Sequence, residues 1–184
     1  MNTMGFYLWL LPVLLMIHEF EEIFMIEVWY EGHKEKINQI WPKKKPFGLD
    51  RPGPFLTATI SIGICAEYIG IILVCVLCAI FDNYYAWFGI SAGFVLNSIF
   101  LHGRDFLRFK GYTPGFITSI VLIIPTIVIL AQANTLLHYN WIEIVLSTII
   151  TNVVFGFVAF KVLHKSMPTW SAWLIKYSKK EVQE

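Results

Sequence analysis

Apolar runs long enough to cross a bilayer dominate this chain and leave it few ways to fold. They cover roughly Gly5–Glu27, Phe55–Phe81, Tyr84–His102, Gly115–Leu137 and Trp141–His164. About 20 such residues cross a hydrocarbon core about 30 Å thick as a helix. Inside lipid every backbone N–H and C=O must pair, which admits helices or closed barrels. These runs lack the in-out alternation of barrel strands, so they select helices. A composition of 57% hydrophobic and 15% charged residues agrees. The expected fold is all-α: a polytopic membrane protein of five transmembrane helices forming one domain over residues 1–184. Trp170, Trp173, Leu174 and Tyr177 recur at helical spacing before a lysine-rich end. They predict an amphipathic helix in the membrane interface at about 167–178. Trp29–Pro54 holds Pro42, Pro46, Pro52, Gly53 and Pro54, and reads as a loop with interfacial Trp29, Tyr30 and Trp41. Gly103–Pro114 reads as a short basic loop.

Charge placement predicts the orientation. The first loop holds Lys34, Lys36, Lys43, Lys44, Lys45 and Arg51, and the third holds Arg104, Arg108 and Lys110. Lys161, Lys165, Lys176, Lys179 and Lys180 follow the last run, completing all 14 basic residues. Five crossings put every one of them on one side. The positive-inside rule makes that side cytoplasmic, with the N-terminus outside a cell membrane. A net charge of +1 says nothing about partners; the membrane character makes lipid the expected one, with no nucleic acid. Cys65, Cys75 and Cys78 share one apolar run and suggest packing rather than a disulfide framework.

The first run is unusual because it also carries His18, Glu19, Glu21 and Glu22. At about 100° per residue, Glu21 and Glu22 flank His18 at about −60° and +40°, while Glu19 lies about 100° away. A carboxylate near the bilayer centre costs roughly 2.5–3.5 kcal/mol on insertion scales. Such a cluster calls for a metal, a proton or a polar substrate; the plainer alternative is a polar knot that pins helices together. Other runs supply Glu67, Asn97, His102 and Asn152, at depths of about 8–18 Å from the basic side, or at the boundary for His102. They suggest one polar cavity opening toward that side. The fourth run contributes no ionisable group. Within this cavity His18, Glu21, Glu22 and His102 are the candidate metal ligands, and Glu22 and Glu67 the candidate acid–base groups. Asn97, Arg104 and Asn152 are expected to line the cavity, with Arg104 and Arg108 near an anionic head group or simply anchoring at the interface.

The run His18-Glu19-Phe20-Glu21-Glu22 matches H-x-x-E-E, and Tyr112-Thr113-Pro114-Gly115 with Thr118 follows His102. In both features the chain resembles the HXXEE-motif membrane proteins, a mainly bacterial family of four or five predicted spans. That family often has an asparagine four residues before the later histidine; here Asn97 stands five before His102. The resemblance implies a shared polar site and names no reaction.

Two functions of different class fit these residues. One is a metal-dependent membrane enzyme holding zinc, iron or manganese, which hydrolyses or oxidises a lipid-like substrate. The other is a small proton- or cation-coupled transporter, with a homodimer supplying the missing internal symmetry. A structural assembly partner would leave the carboxylates unexplained.

Overall fold

The structure, a computed structural model, describes residues 4–49, 53–158 and 164–178. Its helices are α1 (Met4–Ile40), α2 (Leu56–Phe81), α3 (Tyr85–Asn97), α4 (Gly103–Phe109), α5 (Phe116–Leu137), α6 (Trp141–Val158) and α7 (His164–Ser178). A π-helical turn, Ser98–His102, joins α3 to α4, and the described residues contain no strand. Four helical segments are long and apolar enough to cross a membrane: Leu56–Phe81, Tyr85–Phe109, Phe116–Leu137 and Trp141–Val158. The all-α membrane class therefore holds, with four such helices where the sequence predicted five. The segment left out of that set is α1, which carries the acidic cluster. The end of the predicted fifth span at residues 159–163 lies outside the described residues, as do Arg51, Lys161, Lys179 and Lys180.

Two predicted loops are helical. Helix α1 continues to Ile40, through nearly half of the expected first loop. The prolines that suggested a loop all lie beyond that point. The stretch stays helical because Ile26, Trp29, Ile37 and Trp41 recur on one face and are buried. Trp29 and Trp41, expected at the interface, are only 2% and 4% exposed. A break falls at His33 (φ −136°, ψ 20°), whose Nδ1 donates to the Trp29 carbonyl at 2.9 Å. The third span likewise does not end at His102. It runs on through α4 to Phe109 and stops where Lys110 turns left-handed (φ 54°).

Two apolar cores hold the helices. In the first, Tyr7, Leu8, Leu11 and Leu15 of α1 pack with Cys75 of α2, Trp87 and Phe88 of α3, and Leu122 of α5. Pro12 lacks the amide that would bond the Leu8 carbonyl. Trp87 Nε1 at 3.2 Å and Cys75 Sγ at 3.7 Å donate to that oxygen instead. This satisfies an acceptor that lipid could not. Helices α3 and α6 approach closely because α3 offers Gly89 and Gly93, four residues apart. A Cβ on Gly93 would lie 2.1 Å from Asn152 Oδ1, and one on Gly89 2.5 Å from Thr151 Oγ1.

The second core joins Ile26, Trp29, Ile37, Trp41 and Leu49 to Leu56 and Ile60 of α2 and Phe109 of α4. It draws the ends of α1, α2 and α4 together, so Lys34, Lys36, Arg104, Arg108 and Lys110 share one end of the bundle. Helix α7 starts three residues before the predicted interfacial helix and docks on α2. Trp170 stands 3.4 Å from the Cβ position of Gly63, and Met167 packs against the second core. Trp173 and Tyr177 stay exposed.

Candidate metal centre

The site forms where α1, the π turn and the start of α5 meet. Helix α1 supplies His18 and Glu22, one turn apart on one face. The π turn supplies His102. Hydrogen bonds in a π turn run i→i+5 rather than i→i+4, and the Gly103 amide accordingly donates to the Ser98 carbonyl. The wider turn absorbs the extra residue between Asn97 and His102. In an α-helix they would sit about 140° apart; the π turn brings them toward one face.

His18 is 3% exposed and His102 7%. Glu22 Oε1 lies 3.7 Å from His18 Nε2 and 3.5 Å from His102 Nε2. The two rings stand edge to face, with centroids 4.9 Å apart. One ligand atom from each of the three residues falls within 4.8 Å of the others. The roof is the backbone of Gly115, at φ +78°. A Cβ there would meet Glu22 Oε1 at 2.6 Å, His102 Cε1 at 2.7 Å and His18 Cε1 at 2.9 Å.

Glu21, expected to be a ligand, points elsewhere. Its carboxylate accepts from the amides of Thr118 (2.7 Å) and Ile117 (3.3 Å), the Thr118 hydroxyl (2.5 Å) and the Tyr112 hydroxyl (2.9 Å). These amides are free donors at the start of α5, and a carboxylate there is worth about 0.3–1 kcal/mol, more when partly buried. Burial, and then the bond to Glu21, push the Tyr112 phenol above its usual range. Glu27 does the same for α2, accepting from the amide and hydroxyl of Thr57. The acidic run of α1 therefore divides its work: Glu22 faces the histidines, while Glu21 and Glu27 cap neighbouring helices.

The remaining predicted residues scatter. Glu67 is half-buried on α2, close enough to Glu19 and Glu22 for the three charges to interact. Glu19 is thus a neighbour of the site rather than a bystander on the far face. Arg104 pairs with Asp105 at 2.8 Å and is 57% exposed. Asn152 donates to the carbonyls of Gly89 and Thr148 at the α3–α6 seam. Asn97 is half-buried at the entry to the π turn. Tyr112, Gly115 and Thr118 carried no role of their own in the sequence, although the Tyr-Thr-Pro-Gly stretch and the threonine after it stood out.

The donor set suits a divalent metal. At 3.5 and 3.7 Å the N···O separations are too long for hydrogen bonds. Zinc bonds to nitrogen and oxygen of about 2.0–2.2 Å in a tetrahedron place its ligands about 3.3–3.6 Å apart. Two imidazoles and one carboxylate also form the three-ligand set of catalytic zinc and of non-haem iron(II) sites.

Fold and site fit a polytopic helical membrane protein with a buried histidine–glutamate cluster. The chain belongs to the family described as a protein of unknown function with HXXEE motif, whose model matches residues 9–130. The matched region contains His18, Glu22, His102, Gly115 and Thr118, and ends before α6 and α7. No curated protein and no solved structure matches the chain.

Proposed function

We propose that this protein is a metal-dependent membrane enzyme whose ion is held by His18, Glu22 and His102. The carrying observation is the convergence of these three side chains, one ligand atom from each lying within 4.8 Å of the others, as a three-ligand metal site with one position open requires. A divalent ion there would supply a Lewis acid and an activated water for hydrolysis or oxidation. His18 and His102 provide neutral nitrogen ligands, and Glu22 provides one negative oxygen. Gly115 closes one side, and Thr118 occupies another. Glu67 and Glu19 remain beside Glu22, and Glu67 is the residue we assign to accept or return a proton.

In this reading α1 is the fifth span, crossing over about Gly5–Glu27 and continuing beyond the bilayer to Ile40. The site then lies in the half of the membrane nearer the basic end, which the positive-inside rule makes cytoplasmic. A lipid-like substrate can reach that depth from within the membrane, and exposed Phe20, Phe24 and Phe100 present apolar surface to it. The second reading, proton or cation transport, draws on the proximity of Glu19, Glu22 and Glu67.

Metal analysis of protein purified in detergent without chelator tests the proposal. One transition-metal ion per chain is expected, lost in His18→Ala and His102→Ala and kept in Glu31→Gln. Metal-free wild-type protein that gains no thermal stability from zinc, iron or manganese would favour the proton-relay reading.

A further inference from the structure

We infer that Thr118 is a positioning residue that fixes the His18 ring as an Nε2 ligand, with Glu21 as its anchor. The consequence for affinity depends on the metal reading above; the proton placement stands on geometry alone. Glu21 receives four donors, two of them backbone amides of α5. A carboxylate so surrounded is an acceptor only. One of its donors is the Thr118 hydroxyl at 2.5 Å, a length typical of O–H donating to a charged oxygen. A hydroxyl has a single hydrogen. That hydrogen goes to Glu21 at 2.5 Å rather than to the Gly115 carbonyl at 3.4 Å, so Thr118 can only accept from His18 Nδ1 at 3.0 Å.

His18 Nδ1 must therefore carry the proton. In the neutral ring this leaves Nε2 bare, facing Glu22 and the His102 ring. The His18 imidazole is thus oriented by an acceptor in the first turn of α5. A carboxylate acting on a ligand histidine is the usual arrangement around protein metals, and its loss typically weakens binding 10–100-fold. Here a hydroxyl is interposed, so α1 supplies both the histidine and, three residues on, the anchoring carboxylate.

The test compares Thr118→Val, which keeps the branched shape, with Thr118→Ser, which keeps the hydroxyl. Zinc affinity is measured by chelator competition. The His18 tautomer is read separately by nitrogen NMR of metal-free protein labelled with ¹⁵N-histidine. Wild type and Thr118→Ser should show the Nδ1–H form and bind zinc within a few-fold of each other. Thr118→Val should lose the single tautomer and bind 10–100-fold more weakly. Glu21→Gln is the second variant, because its amide can donate to Thr118 and release the hydroxyl hydrogen toward His18. It too should disturb the tautomer. An Nε2–H ring in wild type, or a Thr118→Val protein with wild-type tautomer and affinity, would overturn the inference. The Nδ1–H tautomer in wild type without zinc binding would support the proton placement and overturn the metal reading.

Discussion

Gly115 is the residue with the least room to change. It combines a left-handed backbone with contact against all three candidate ligands. An alanine there costs about 1–2 kcal/mol from its conformation alone, and its methyl would occupy the space around Glu22 Oε1. Gly115→Ala should therefore reduce zinc affinity at least tenfold and lower thermal stability. Gly111→Ala, whose Cβ would come no closer than 3.8 Å to Phe109, should do neither. Equal affinity in the two variants would mean that Gly115 does not roof the site. Glu67 and Glu143 make a second comparison. Glu67 interacts with Glu22, whereas Glu143 is exposed and bonds the Tyr85 hydroxyl. Glu67→Gln should weaken zinc binding or turnover several-fold, and Glu143→Gln should leave both unchanged. Glu31→Gln is the matched control, because Glu31 pairs with Lys34 in solvent, whereas Glu19 interacts with Glu67.

At the scale of elements, the α3–α6 seam sets how closely two spans approach. Gly93→Ala forces a methyl against the Asn152 amide, and overpacking of this kind costs about 1–3 kcal/mol. Gly156→Ala meets nothing within 4 Å and should be neutral. Thermal unfolding in detergent separates the two; equal melting would show that the seam has slack. These elements also show what the sequence could reveal. Spans two and four, and span five as far as Val158, were legible because their apolar runs are long and carry few ionisable groups. The extension of α1 was written in Ile26, Trp29, Ile37 and Trp41, but Gly32 and a dense set of charges masked the period. The π turn left only an indirect trace, one extra residue between Asn97 and His102. Partner choice was hardest to read. Spacing put both Glu21 and Glu22 on the His18 face, and only the free amides of α5, distant in sequence, decide which carboxylate turns away.

At the scale of the whole molecule, the second core places the described basic side chains of α1 and α4 at one end, as the charge pattern anticipated. Five crossings with α1 as a span predict that a cysteine at position 83 is labelled from outside intact cells and one at position 44 is not. A Cys65→Ser background suits the experiment, since Cys75 and Cys78 are buried. Labelling at position 44 from outside would contradict the topology. The central claim is that two imidazoles and one carboxylate from separate helices hold a single metal ion. X-ray absorption on zinc-loaded protein addresses it most directly. The account predicts a four-coordinate shell of nitrogen and oxygen at about 2.0–2.1 Å. It should carry the outer-shell signature of two imidazoles, falling to one in His102→Ala. A shell of oxygens alone, or one containing sulfur, would contradict it.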